Sequence, residues 1–120
     1  MPSTQSIVES FVAAINAQDL NKLVELMSQD HTFIDNGGNV YTGRDRMKAA
    51  WESYFFSFPN YRIQVEFILP SGADIAVVGK TTGSHVSAEQ EERELVVWTA
   101  KIADDLVSEW RVFARDTEQD

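Results

Sequence analysis

The sequence predicts an α+β fold in which helices pack on one face of a curved, mostly antiparallel sheet. Two observations carry this prediction. Apolar residues recur mainly at helical spacing up to Pro59, and from Tyr61 onward they alternate with polar residues at the spacing of strands. Because long strands then follow one another through short turns, we expect a meandering sheet rather than a parallel array with crossover helices.

Three helices are expected. The first contains Ser6-Ile7-Val8-Glu9, which resembles a capping box, and an apolar stripe of Val8, Phe11, Val12 and Ile15. Asp19 can cap a second helix, whose apolar side is formed by Leu20, Leu23, Val24 and Met27. The third begins at Thr42-Gly43-Arg44-Asp45, a capping-box variant, and has a strongly aromatic face of Met47, Ala50, Trp51, Tyr54, Phe55 and Phe58.

Five strands complete the prediction. The first covers 31–35 and ends at Asn36-Gly37-Gly38, and the second places on one face Tyr61, Ile63, Val65, Phe67 and Leu69. The third starts at Ile75 and ends near His85, and the last two cover about 93–102 and 106–115. A three-residue loop between these last two sets Trp98 opposite Trp110, whereas a two-residue loop sets Trp98 opposite Arg111 and mixes the faces. With the longer loop, the outer face carries Val97, Thr99, Lys101, Val107, Glu109 and Arg111.

Length and composition limit the class of protein. The 120 residues suit a single domain spanning 1–120, and the absence of cysteine excludes disulfides and thiolate chemistry. The net charge of -9, with scattered lysines and arginines, argues against nucleic acid and anionic membrane surfaces as partners. No secretory signal or membrane-spanning run is evident, so we expect a cytoplasmic protein. The acidic residues are expected in a solvated loop and tail, at Glu89, Glu91, Glu92 and Glu94 and at Asp116, Glu118 and Asp120.

Asp35 is the main candidate for chemistry. It shares a strand face with His31 and Phe33, so an apolar pocket around it would raise its pKa and make it a usable proton acceptor. The alternative is that its carboxylate only caps the turn at Asn36-Gly37-Gly38.

Aromatic residues from several elements are predicted to line one cavity. They are Phe11, Phe33, Trp51, Phe55, Trp98 and Trp110. Alternatively, these side chains simply fill the core, as aromatics at helical and strand spacing usually do.

Several segments together resemble the SnoaL-like branch of the nuclear transport factor 2-like superfamily. They are the run from Phe11 to Leu20, Phe33-Ile34-Asp35, Tyr41-Thr42-Gly43-Arg44, Thr82-Gly83-Ser84-His85 and the run from Val107 to Phe113. The resemblance implies a cone-shaped α+β half-barrel with a deep apolar pocket, commonly a homodimer associated through the sheet. It also implies activities such as ketosteroid isomerase, polyketide cyclase or epoxide hydrolase.

Residue by residue, the resemblance supports only part of these activities. Asp35 matches the general-base position of ketosteroid isomerases, but Phe11 and Trp98 occupy the oxyanion-hole positions and cannot donate the required hydrogen bonds. The Asp-Arg-Asp relay that the resemblance implies for epoxide hydrolases has no counterpart on the last strands of this sequence. For cyclase-type chemistry His85 is the nearest histidine, and it is equally well explained as a solvated residue at a strand end.

These considerations leave two classes of function. The first is cofactor-independent acid/base catalysis on a small apolar or aromatic molecule, with Asp35 and His85 as catalytic residues and without a metal or other cofactor. The second is a noncatalytic module that binds a ligand, dimerises or docks a partner.

Overall fold

The computed structural model describes residues 3–114, and it confirms the predicted α+β class. The helices are α1 (Thr4–Ala17), α2 (Leu20–Glu25), α3 (Arg44–Ser57) and α4 (Ala88–Arg93). The strands are β1 (Met27–Ile34), β2 (Val40–Thr42), β3 (Arg62–Ser71), β4 (Asp74–Thr82), β5 (Val96–Ala103) and β6 (Leu106–Phe113). They form one curved, unclosed sheet in the order β2-β1-β6-β5-β4-β3, in which only β1 and β6 run parallel.

The first two helices differ from prediction in their boundaries. The cap of α1 is Ser3, whose hydroxyl accepts a hydrogen bond from the Ser6 amide at 3.0 Å, so the predicted box starting at Ser6 is wrong by one turn. The predicted cap of α2 is confirmed, because Asp19 Oδ1 accepts from the Lys22 amide at 3.1 Å. Met27 was assigned to this helix but begins β1, where its side chain is fully buried.

Helix α3 follows a short strand, β2, that was not predicted from the sequence. Val40–Thr42 pairs with β1, and the helix starts after Gly43 without a side-chain cap, so the predicted capping box is wrong. The helix ends near the expected place and buries three residues of its apolar stripe, Met47, Trp51 and Phe55.

A β-bulge interrupts the alternation predicted for β3. Val65 pairs with Gly79 on β4, but Phe67 pairs with the next residue, Val78, so Glu66 has no partner. Beyond this extra residue, each side chain of β3 lies on the face opposite to the predicted one. Phe67 and Leu69 are therefore 56% and 48% exposed. Their predicted position on the inner face is therefore wrong.

The β5–β6 hairpin has a two-residue turn and a bulge instead of the predicted three-residue loop. Both turn residues, Asp104 and Asp105, have positive φ, and the register shifts again between Lys101 and Ile102. Trp98 therefore pairs with Val112, and Trp110 pairs with Ala100. The predicted direct pairing of Trp98 with Trp110 is wrong, although both indoles lie on the inner face. Val107, predicted outside, is fully buried.

The segment after β4 also differs from prediction. The strand ends at Thr82 rather than near His85, because Gly83 adopts a φ of 69° and turns the chain. The acidic run predicted as a loop forms α4, which Ser87 caps by accepting from the Gln90 amide at 3.2 Å. The acidic tail residues Asp116, Glu118 and Asp120 lie outside the described residues.

The hydrophobic core lies between the inner face of the sheet and helices α1 to α3. Its fully buried members include Val8, Phe11, Ile15, Leu23, Met27, Val77 and Val107. None of the helices in the described part of the chain has the length and apolar character needed to cross a membrane. The cytoplasmic location expected from the sequence stays a prediction.

Candidate functional site

Two connected cavities open between α3 and the inner face of the sheet. The inner cavity has a volume of about 310 Å³, and the outer cavity, which extends toward α4, has a volume of about 880 Å³. They share seven lining residues, Phe33, Asp35, Tyr54, Tyr61, His85, Trp98 and Val112. The two cavities therefore form one cleft with a narrow aromatic interior and a wider mouth that is more polar than the interior.

The inner cavity is walled by the indole side chains. All three tryptophans of the chain, Trp51, Trp98 and Trp110, line it. Trp98 and Trp110 stack with ring centroids 6.3 Å apart and planes 17° apart, although they belong to non-paired positions of neighbouring strands. The expectation that these indoles share one face opposite α3 is confirmed.

Two of the predicted ligand-binding residues lie behind this wall. Phe11 is fully buried, lines neither cavity and packs against Trp110 at a centroid distance of 4.9 Å. Phe55 packs in the same way against Trp51 at 5.5 Å. Both side chains thus support the wall from the core, whereas Phe33, Trp51, Trp98 and Trp110 face the cavity.

His85 lies at the mouth of the cleft and is paired with a tyrosine. Its Nδ1 is 2.9 Å from the Tyr54 hydroxyl, and its backbone amide donates to the same oxygen at 3.3 Å. The two contacts join the imidazole and the phenol into one hydrogen-bonded pair, in which the tautomer of His85 sets whether Nδ1 donates or accepts. Burial raises the pKa of Tyr54, so the phenol keeps its proton at neutral pH.

Glu91 is a buried carboxylate in the wall of the outer cavity. It accepts hydrogen bonds from the Thr81 hydroxyl at 2.8 Å, from the Ser84 amide at 3.0 Å and from the Ser84 hydroxyl. Burial raises its pKa, but the bonds from Ser84, Thr81 and Gly83 outweigh that effect and lower the pKa overall. Glu91 therefore stays ionised at neutral pH.

Asp35 lies where the inner and outer cavities meet, with its carboxylate bonded to the adjacent turn. Its Oδ1 accepts from the amides of Gly37 and Asn39, both at 2.9 Å, and its Oδ2 accepts from the Asn39 side chain at 3.0 Å. Burial raises its pKa, but these bonds outweigh burial and lower the pKa overall. The predicted direction, a raised pKa, is wrong, and the turn-capping interpretation describes the geometry.

His31, which shares the predicted face with Asp35, is fully buried and lines neither cavity. Its Nδ1 lies 2.7 Å from the Val107 carbonyl, so Nδ1 carries the hydrogen, and Nε2 has no hydrogen-bond partner. Burial lowers its pKa more than the Val107 bond and the charge of Asp30 raise it. His31 is therefore a neutral core residue.

Five residues that line the site were not predicted from the sequence, namely Tyr54, Tyr61, Thr81, Ser84 and Glu91. The aromatic stripe of α3 was a usable signal for Tyr54, and strand alternation was one for Tyr61, which is buried beside it. The polar residues gave no local signal, because they meet only after the chain turns at Gly83. Within residues 3–114, no three His, Asp or Glu side chains are grouped so that they could hold a metal ion.

The sequence matches the model of a known protein family. The model of the SnoaL-like domain matches residues 8–110, which is most of the chain. This protein belongs to the SnoaL-like family. Comparison of the sequence with curated proteins finds no significant match.

Solved structures of the same fold include proteins with different names. A candidate ketosteroid isomerase from Kribbella flavida is 18% identical, with a TM-score of 0.77 over 95% of this chain and 78% of the other. A candidate polyketide cyclase from Sinorhizobium meliloti is 15% identical, with a TM-score of 0.76 over 93% and 94% of the two chains. A Catenulispora acidiphila protein with a ketosteroid isomerase-like fold, solved with trimethylamine, is 15% identical, with a TM-score of 0.74 over 92% and 86%. At these identities the comparisons establish the fold of this SnoaL-like protein.

Proposed function

We propose that this SnoaL-like protein binds a small molecule whose apolar or aromatic part occupies the inner cavity. The observation that carries the proposal is the open cavity of about 310 Å³ whose lining includes Phe33, Trp51, Trp98 and Trp110. These aromatic side chains therefore do not fill the space between α3 and the sheet, and they line a cleft that is open to solvent. Ligand pockets are characteristically apolar with a few polar groups at one end, as here.

The size and lining of the cleft define the ligand that fits. The inner cavity is at the small end of the usual range for ligand sites, so it suits a single ring or a short branched chain. The polar end of such a ligand would face the outer cavity, where Asp35 and the His85–Tyr54 pair lie. The structure solved with trimethylamine supports the proposal, since it is a relative of the same fold that holds a small organic molecule.

The three tryptophans provide a direct test. Because every tryptophan of the chain lines the inner cavity, a ligand that enters it must change the intrinsic fluorescence. Titration with benzyl alcohol, a neutral water-soluble aromatic probe, should give a saturable change in tryptophan emission. A linear, non-saturating response would contradict binding in this cavity.

A matched pair of substitutions on α3 locates the binding site. Ala50 is exposed and lines the inner cavity, whereas its neighbour Ala49 is exposed and lines neither cavity. Ala50→Leu should obstruct the cavity and weaken probe binding severalfold, and Ala49→Leu should leave binding unchanged. Equal effects of the two substitutions would count against the inner cavity as the site.

A proton-transfer reaction is a second candidate, and the contact of 2.9 Å between His85 Nδ1 and the Tyr54 hydroxyl favours it. This bond orients the imidazole at a ligand cavity, which is the arrangement that a general acid or base needs. Asp35 lines the same cavities and remains a proposed proton acceptor, although its lowered pKa makes it a weaker base.

Hydrogen exchange tests this candidate. Wild type should accelerate exchange of the α-hydrogens of 2-tetralone in D₂O, measured by NMR, and His85→Gln and Asp35→Asn should each slow it. The control is Glu52→Gln, which removes an exposed carboxylate on α3 that lines neither cavity. This control should exchange the hydrogens as fast as the wild type does. If the wild type does not exceed the rate in buffer alone although benzyl alcohol binds, the noncatalytic ligand-binding module is the better description.

We also propose that the protein forms a homodimer through the outer face of the sheet. Successive strand pairs align Phe67, Val78, Val97 and Phe113 in one row across β3, β4, β5 and β6. Phe67 and Phe113 are 56% and 44% exposed, so this row is an apolar surface in the single chain. A two-fold axis would pair the same patch on both copies.

Sedimentation analysis distinguishes a dimer from a monomer at micromolar concentration. Phe67→Lys should convert the dimer to monomer. Phe56→Lys is the control, since Phe56 is 89% exposed on α3 and lies away from the sheet. A monomeric wild type would contradict the proposal.

A further inference from the structure

Carboxylates line the two cavities in the described part of the chain. Among residues 3–114, their walls contain the carboxylates of Asp35, Glu91 and Glu94 and no lysine or arginine. From this asymmetry in an aromatic cleft we infer that the ligand is an organic cation, either a protonated amine or a quaternary ammonium group on an apolar body. The inference rests on the proposed binding function and specifies its ligand class.

Glu91 is an ionised carboxylate without a basic partner in the described part of the chain. The residue is 7% exposed, and in the described chain no lysine or arginine lies within ion-pair distance of it, since the ion pair of α4 joins Arg93 to Glu89. The donors that hold Glu91 come from Thr81 and Ser84 and are neutral, so they stabilise the anion without cancelling its charge. The carboxylate therefore keeps a fixed negative charge in the wall of the outer cavity, and a cation there would be attracted to it.

Asp35 provides a second fixed negative charge where the two cavities meet. Its hydrogen bonds from Gly37 and Asn39 fix the carboxylate position, and within the described residues no basic side chain pairs with it. An ammonium group entering from the mouth would therefore meet Glu91 in the outer cavity and Asp35 at the junction with the inner one. Neither carboxylate would have to reorganise to receive it.

The aromatic lining completes a site for a positive charge. Tyr54 and Tyr61 are edge to face, with centroids 5.1 Å apart and planes at 88°, and Trp51 lies 6.2 Å from Tyr54. All three rings line the inner cavity, and Tyr54 and Tyr61 also line the outer cavity, so the charge can lie beside them where the two cavities meet. Ring faces attract cations through their quadrupole, most strongly where water is excluded, and sets of such rings bind alkylated ammonium groups. The net charge of -9 adds long-range attraction for a cation.

The test compares three benzyl compounds that differ in charge. Benzyltrimethylammonium is the cation, neopentylbenzene is its neutral isostere, and phenylacetate is an anion. Titrations followed by tryptophan emission should show the cation binding at least about tenfold more tightly than the isostere, since cation–π and carboxylate attraction act only on the cation. Raising the salt concentration should weaken binding of the cation and not of the isostere.

Three variants assign this preference to the carboxylates. Asp35→Asn and Glu91→Gln should each reduce the preference for the cation over the isostere by severalfold. Glu52→Gln makes the same change in net charge at an exposed position outside the cavities and should leave the preference intact. Asp35→Asn keeps the test decisive if Glu91→Gln fails to fold.

The outcomes separate this inference from the binding function that it rests on. Equal or tighter binding of neopentylbenzene or of phenylacetate overturns the cation inference and leaves the cavity as a ligand site. The same holds if Glu52→Gln reduces the preference as much as Asp35→Asn does. No saturable response to any of the three compounds overturns the proposed binding function itself.

Discussion

The carboxylate of Glu91 accepts a hydrogen bond of 2.8 Å from the Thr81 hydroxyl, and this contact ties α4 to the end of β4. The same carboxylate accepts from the amide and hydroxyl of Ser84, so one side chain fixes the segment that forms the mouth of the cleft. Helix α4 has only six residues, too few to be stable alone. Its position therefore depends on this tertiary contact.

Removing that side chain should be strongly destabilising. Glu91→Ala removes the acceptor of the Thr81 and Ser84 donors, and we expect a loss of about 1.5–3 kcal/mol in unfolding free energy, the scale of hydrogen bonds to charged groups. Glu89→Ala on the same helix removes only an exposed ion pair with Arg93 and should cost less than about 0.5 kcal/mol. Urea denaturation compares the two, and similar losses would argue against an anchoring role for Glu91.

Asp35→Asn should destabilise the protein at neutral pH by roughly 0.5–2 kcal/mol, the scale of cap deletions. The folded-state pKa of Asp35 is lowered, so its ionised form contributes stability above the unfolded value of 3.8. That contribution is lost as the pH falls through the folded-state pKa. Denaturation of both proteins from pH 7 to pH 2 should show their difference shrink with acid. A variant as stable as wild type at pH 7 would revive the interpretation of Asp35 as a desolvated base.

His31 should make the protein less stable as the pH falls below 6.5. Its folded-state pKa is lowered by burial, so the unfolded chain takes up a proton more readily between that pKa and 6.5. Stability therefore rises with pH across this window, by at most about 1.4 kcal/mol per pH unit. His31→Gln should flatten the dependence between pH 5 and 7.5, whereas His85→Gln, at the only other histidine, should preserve it. If the unfolding free energy of His31→Gln depends on pH as it does in the wild type, the attribution of this dependence to His31 is wrong.

The turn of the β5–β6 hairpin offers a stabilising substitution. Asp105 has a φ of 63°, a region that glycine occupies without steric cost, and two-residue turns of this kind favour glycine at that position. Asp105→Gly should raise the unfolding free energy by about 0.5–1 kcal/mol. Ala103→Gly, in the adjoining strand without positive φ, should lower it by a similar amount. Thermal denaturation of both variants measures the contrast, and a lower melting temperature for Asp105→Gly would be contrary to expectation.

Much of the fold was predictable because it is encoded by local periodicity. The aromatic stripe of α3 and the order of helices and long strands follow directly from residue spacing. Helix α4 was not predictable in this way, since its sequence is polar and it is fixed by Glu91 bonding to residues about ten positions earlier. The two β-bulges were not predictable from periodicity either, because Glu66 and Ser108 look like ordinary strand residues.

The prediction that Trp98 and Trp110 share one face of the sheet is correct, although the strand register on which it was based is wrong. The turn is one residue shorter than predicted, and the bulge at Ser108 adds one residue, so beyond the bulge the register of β5 against β6 is displaced by two positions. Since strand faces repeat every second residue, Trp98 and Trp110 keep their common face. Val107 lies between the turn and the bulge, where the displacement is only one position, and it therefore turns inward.

The pKa of Asp35 could not be derived from strand alternation alone. Alternation correctly places the residue beside Phe33 and the aromatic cavity, but the direction of the shift depends on Asn39 folding back to donate from both its amide and its side chain. Such contacts are set by the turn conformation rather than by residue spacing.

The position of β6 in the sheet has a consequence for how the chain folds. Strand β6 is the last of the described strands, yet it lies between β1 and β5 and is the only strand that joins β1 and β2 to the rest of the sheet. Its pairing with β1 brings together residues as far apart as Phe33 and Trp110, so a long loop must close before the sheet is continuous. A ribosome-bound chain that has not yet released residues 106–113 cannot complete the cleft. Folding of the binding site should therefore follow synthesis of this strand rather than accompany synthesis of the helices.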